Sequence, residues 1–319
     1  MSDSAANAQN HTAADSAPAA PNASPAPSSP SVRPPIMRPL TVRDWIPSQP
    51  GAWAMALMPA LAGIGLAGAN LTTIWLLTCW ILCYCVQYSA ARWLKSRRSR
   101  RYMPPMLVYT VALAILGIPF ILLHPAILLW APLFATLAAL SFVAAWMRRE
   151  RSIWANIAVI LAACSMTVVV CWIGNPALVS HSSAMQSSQT GGIGLLSPGR
   201  WSISTWLTVP LPHASLIAAM IFALYEFGSV LFVKTMIRER GSRTYLVASW
   251  IWHVGLVAAG FMVFPWFGGL ALILLARAVT LPAIARRRKV KPLAVGLTEL
   301  VTILLTCAVT VIGVPSLIG

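Results

Sequence analysis

Glu226, Arg277 and Glu299 stand inside long apolar runs, where ionisable side chains serve to lock helices together, to bind a charged solute or to move a proton. Glu226 precedes Lys234 by eight residues and Glu299 follows Lys291 by eight, so at a helical rise of about 1.5 Å per residue each carboxyl lies about 12 Å from its basic boundary. Arg277 precedes Arg286 by nine residues, or about 14 Å, and His253 follows Arg243 by ten, or about 15 Å. Gln87, Asn156 and Tyr225 fall in the same inner half: five residues before Arg92, five after Arg151, and next to Glu226. Carried on neighbouring helices, these seven residues are candidates to line one polar cavity. His253 suits proton exchange near neutral pH. Arg277 between two glutamates satisfies both signs, so structural pairing and a solute or ion site both stay open.

Beneath Glu226 comes a basic turn, Lys234, Arg238, Arg240 and Arg243, with Glu239 among them. Lys234 and Arg238 are candidates to hold a phosphate or carboxylate while Glu226 binds a cation or carries a proton. The same turn also serves topology alone. The six cysteines sit in or at the ends of apolar runs, and Cys79, Cys83 and Cys85 lack both a histidine partner and a C-x-x-C pair, so they read as packing residues and not as a metal site. Gly63, Gly65 and Gly68 satisfy G-x-G-x-x-G without a preceding strand, which makes them a surface for close helix contact and not a nucleotide loop. The residues specify no cofactor, no metal and no catalytic group.

Apolar runs of spanning length must position these groups. Of the 319 residues 58% are hydrophobic and 9% are charged, against roughly a quarter charged in a soluble domain. The reading is all-α, a polytopic transmembrane helix bundle of about nine spans at 51–69, 71–91, 104–123, 126–146, 152–173, 212–233, 244–264, 266–284 and 292–312. Of the 23 Lys and Arg residues, 22 then fall toward one side, Arg277 being counted there although it lies within a span, and the positive-inside rule makes that side the cytoplasm, leaving Arg200 outside. The N-terminus is inside and the C-terminus outside. The net charge of +16 therefore reads as topology, with membrane lipids as partners and no nucleic acid expected.

Residues 1–44 form a disordered Ala/Pro/Ser-rich cytoplasmic tail, too poor in large apolar side chains to order a core. Residues 45–319 form the transmembrane helical domain. Its external loop, about 174–211, starts with His181, Ser182 and Ser183 and ends with Trp201 and Trp206 suited to the membrane interface.

Gly51-Ala52-Trp53-Ala54-Met55, Phe227-Gly228-Ser229 through Lys234, Met236-Ile237-Arg238-Glu239-Arg240, and Lys291-Pro292-Leu293-Ala294-Val295-Gly296-Leu297-Thr298-Glu299 resemble the YwiC-like bacterial integral membrane family from about Trp45 onward. The resemblance implies a multi-pass protein of the bacterial inner membrane. Family members place a histidine before the Gly-Ala-Trp motif; here Pro50 stands there, after Gln49, so no histidine role transfers. At the level of topology the chain is also similar to UbiA-like prenyltransferases, nine-helix enzymes that bind a prenyl diphosphate through aspartate-rich motifs and magnesium. Asp3, Asp15 and Asp44 all precede the spans, and the corresponding segments offer Gln87 with Arg92, and Glu226 with Lys234 and Arg238.

Three functions fit these residues. The leading one is a carrier of a small or amphipathic anionic solute using an inner-facing polar cavity built on Glu226, Arg277 and Glu299. The second is an intramembrane lipid-modifying enzyme, and the third a membrane scaffold in which the charges only pack helices.

Overall fold

A backbone surrounded by lipid must satisfy its own N–H and C=O groups, and this chain does so with helices. The computed structural model describes residues 45–47, 50–96, 99–174, 211–288 and 290–318. Among the described residues nine apolar helices follow one another: α1 Pro50–Ala67, α2 Leu71–Lys95, α3 Met103–Leu123, α4 Ala131–Trp146, α5 Ile153–Gly174, α6 His213–Val233, α7 Arg243–Val263, α8 Pro265–Arg287 and α9 Pro292–Gly313. A last turn, α10 Pro315–Ile318, follows. Eight of the nine are long and apolar enough to cross a membrane once the short turns flanking α3, α4 and α6 are included, and α1 is the shorter one. The tail at 1–44, Arg200 and nearly all of the 174–211 loop lie outside the described residues.

Small residues set the centre of the bundle. α5 buries twelve residues, five of them Ala or Cys, and packs on α1 and α6, whereas α3 buries only Pro105 and Phe120 and faces outward. Gly63 and Gly65 do what their spacing predicts, whereas Gly68 lies past the end of α1 at φ 90° with nothing within 4 Å of a Cβ there. A Cβ on Gly63 would stand 2.9 Å from the Thr167 carbonyl of α5, and one on Gly65 would stand 2.9 Å from Val311 of α9. Thr167 Oγ1 also donates to the Pro59 carbonyl at 2.8 Å, binding α5 to the proline-containing turn of α1.

α2, α3 and α4 form one flank, while the other contains the closely packed pair α7 and α8. Indole N–H groups tie the flanks in by donating to helix carbonyls: Trp80 to Ala56 at 2.8 Å, Trp252 to Leu224 at 3.1 Å and Trp250 to Ala278 at 3.0 Å. The last bond has a local cause. Pro282 has no N–H for the carbonyl four residues back, which is that of Ala278, and Trp250 supplies the missing donor.

Contacts at one end of the bundle join four basic segments. Lys95 meets Glu150 at 2.6 Å, Arg148 donates to the Lys95 carbonyl, Lys234 donates to the Arg151 carbonyl at 2.8 Å, and Arg240 donates to the Ala285 carbonyl at 2.9 Å. Cations set against the carbonyl ends of α2 and α8 oppose the negative pole of each helix. At the other end Asn70 caps α2 in a reciprocal pair with Thr73 and donates its amide to the Gly174 carbonyl, joining the start of α2 to the end of α5.

Candidate functional site

α6, α8 and α9 bring Tyr225, Ser229, Arg277, Glu299 and Thr302 together. Tyr225 and Ser229 are four residues apart on one face of α6, and Glu299 and Thr302 are three apart on one face of α9, so each helix presents two polar groups to the seam. Arg277 Nη1 lies 2.6 Å from Glu299 Oε1 as an ion pair, with its hydrogen bond going instead to Thr302 Oγ1 at 2.7 Å. Thr302 spends its own proton on the Thr298 carbonyl at 2.9 Å, so it accepts from both Arg277 and the Tyr225 hydroxyl, the latter at 2.9 Å. Ser229 donates to the second oxygen of Glu299. The guanidinium also stacks over Phe232, 4.3 Å from the ring centroid.

The arrangement leaves polar capacity unspent. Arg277 Nε and Nη2 are buried with no hydrogen-bond partner among the described residues. Glu226 is fully buried on α6, and neither of its oxygens has such a partner there. Arg277 thus pairs with Glu299 and not with Glu226. The Cys164 thiol of α5 lies within electrostatic range of Glu226, while Ala223, Phe227 and Val230 of α6 pack into the surrounding apolar cluster. The ordinary energetics of a buried carboxyl require a partner or a proton.

The remaining candidates are dispersed. His253 is buried on α7, its Nδ1 2.7 Å from the Ser249 carbonyl, which fixes the proton on Nδ1 and leaves Nε2 as the acceptor facing Gly228 of α6. Gln87 donates to Ser141 at 2.8 Å, bridging α2 and α4 on the opposite flank, and Asn156 donates to the Ser152 carbonyl within its own first turn. Lys234 is buried in the π-helical turn Lys234–Arg238 that ends α6, with its ammonium on the Arg151 carbonyl and over the Tyr245 ring at 5.3 Å, whereas Arg238 is exposed. No group of three metal-ligating side chains occurs among the described residues.

Sequence reasoning missed Ser229, Thr302 and Phe232. Thr302 had a signal: Thr298, Thr302, Thr306 and Thr310 recur every fourth residue, a hydroxyl stripe along one face of α9 beside Glu299. A separate concavity of about 630 Å³ lies between α6 and α7, lined by apolar residues such as Leu224, Phe227, Trp252 and Leu256 and by none of the charged groups.

Eight helices long and apolar enough to cross a membrane, a buried ion pair and one basic end mark a multi-pass membrane protein. The family model described as YwiC-like protein matches residues 46–171. The chain is 30% identical over 262 residues to a Haemophilus influenzae protein described as uncharacterized, covering 80% of this chain and 92% of that one. It is 28% identical over 220 residues to the Bacillus subtilis protein described as Uncharacterized protein YwiC, covering 66% of this chain and 74% of that one. The chain belongs to the YwiC-like family of bacterial membrane proteins. No solved structure matches it. These matches extend the first resemblance and not the one to prenyltransferases. The family model covers α1 to α5 and stops short of Glu226, Arg277 and Glu299.

Proposed function

We propose that this protein is a carrier that binds and moves a small or amphipathic anionic solute through a polar cavity facing the cytoplasm. The observation that carries the reading is that Arg277 Nε and Nη2 are buried without a hydrogen-bond partner among the described residues. A purely structural ion pair in lipid is stabilised by using every donor, because each unpaired buried group costs about 1–3 kcal/mol. A guanidinium with two nitrogens that make no hydrogen bond among the described residues, beside a bound carboxylate and the Tyr225 hydroxyl, keeps donor capacity for a second anion. Glu226, one helix turn from Ser229, is placed to change charge as that anion comes and goes. Lys234 and Arg238 add positive potential at the cytoplasmic mouth.

Nine spans with the N-terminus inside accompany this proposal. Four basic segments meeting at one end of the bundle agree with the positive-inside rule, which makes that end cytoplasmic.

The test is native mass spectrometry of the full-length protein from native-lipid discs, comparing wild type with E226Q and R277Q. A discrete anionic ligand on wild type that is lost from a folded R277Q supports the carrier, and uptake of that ligand into proteoliposomes, abolished by E226Q, completes it. Identical ligand profiles in all three proteins sink the reading and leave the charges as packing elements. Chemical conversion of the ligand during incubation replaces the carrier with the enzyme.

A further inference from the structure

The apolar concavity between α6 and α7 and the basic turn below it form one continuous feature. On α6, Leu224, Phe227 and Leu231 of the groove and Lys234 and Arg238 of the turn follow one another at steps of three and four residues, the spacing of a single helix face. On α7 the facing wall runs from Ala248 to Ala259, and Tyr245, one turn earlier, lies under the Lys234 ammonium. Ile153 closes the groove two residues after Arg151. Eleven residue steps from Ala248 to Ala259 make the groove about 16 Å long, about half of a hydrocarbon core that is ~30 Å thick. Counted from Arg243 it runs from about 7 Å to about 24 Å deep, so it begins in the leaflet of the basic end and reaches past the midplane.

The mouth carries more positive than negative charge among the described residues. Arg151 and Arg238 are exposed and lie within electrostatic range of each other, and Lys234 is within range of Arg238. Among the described residues Glu239 opposes them at Lys234. Three cations at the basic end of an apolar groove about 16 Å long match one ligand class in both parts.

We propose that the α6–α7 seam binds an anionic glycerophospholipid of the cytoplasmic leaflet, with its phosphate between Arg151 and Arg238 and one acyl chain in the groove against Phe227 and Trp252. Those two rings, with centroids 4.6 Å apart and planes inclined at 60°, form the back wall of the site. Behind it Gly228 lets α6 approach Trp252 and His253, which separates the chain from the Arg277–Glu299 pair. The site shares Lys234 and Arg238 with the carrier reading, but its test reads bound lipid and not solute movement, so either can fail alone.

Gly255 provides the decisive variant. It lines the groove, and a Cβ there meets nothing within 4 Å, so G255L fills the space the acyl chain needs without displacing a neighbour. Full-length wild type, G255L and R151Q/R238Q are placed in discs holding equal phosphatidylglycerol and phosphatidylcholine, and retained lipid is counted by native mass spectrometry beside the thermal midpoint of each. The expected result is phosphatidylglycerol retained on wild type, its preference lowered about fivefold per charge removed, and retention lost in G255L at an unchanged midpoint. Equal retention of the two lipids by wild type overturns the site. Loss in R151Q/R238Q with full retention in G255L overturns the chain-in-groove geometry, leaving a headgroup on a basic surface. If G255L lowers the midpoint, A259F fills the outer end of the same groove and is read in the same way.

Discussion

Arg277 divides one nitrogen between Glu299 and Thr302, so the two halves of the ion pair are not equivalent. Removing the carboxylate leaves a guanidinium that cannot shed its proton at this depth. Removing the guanidinium leaves a carboxyl that can take one up. E299Q should therefore cost about 3–5 kcal/mol and R277Q clearly less. The double variant should recover part of the loss, with a coupling of about 0.5–3 kcal/mol in a thermal or denaturant cycle in detergent. Losses that simply add would show that the pair contributes nothing as a pair. Glu226 behaves differently: with no partner among the described residues to lose, E226Q should leave the midpoint close to wild type while changing the ligand profile.

Among elements, α8 stays continuous through Pro282 because a side chain of α7 supplies the donor that proline lacks. W250F should cost about 1–3 kcal/mol, the expense of an unpaired buried carbonyl. In a P282A background the backbone bond re-forms, and the same substitution should cost much less. Equal losses in the two backgrounds would mean that the indole matters only as packing. α1 and α5 depend on closeness instead. G63A places a methyl carbon 2.9 Å from the Thr167 carbonyl and should cost about 1–3 kcal/mol, whereas G296A, with open space around it, should be near neutral in the same melting assay. Pro59, Gly63 and Thr167 thus belong to one contact. Their juxtaposition was only half legible, since spacing marked α1 as a packing face but did not choose its partner.

For the whole molecule, the testable statement is orientation. If the proposed orientation holds, alkaline phosphatase fused after residue 291, in the basic segment, should be inactive, whereas a fusion after the last described helix should be active. Activity at the first position and none at the second would invert the bundle and place the basic groove mouth outside. The surface ion pair Lys95–Glu150 should add at most about 1 kcal/mol, since both side chains are more than a third exposed, and K95Q should leave orientation unchanged.

Depth is a one-dimensional quantity, and counting residues at a fixed rise was enough to place Arg277 level with Glu299, to locate nine apolar helices and to bring the basic segments to one side. Rotation about each helix axis and the choice of neighbours are not one-dimensional. They follow from how small residues such as Gly63, Gly65 and Gly228 let particular helices approach. Tertiary packing therefore decided that Arg277 takes Glu299 and not Glu226, that Gln87 belongs to the far flank with Ser141, and that Lys234 turns inward to the Arg151 carbonyl. The sequence alone determined a membrane bundle with costly charges at a shared depth. Which of those charges meet, and which stand unpaired, was settled by side-chain contact between helices that are distant along the chain.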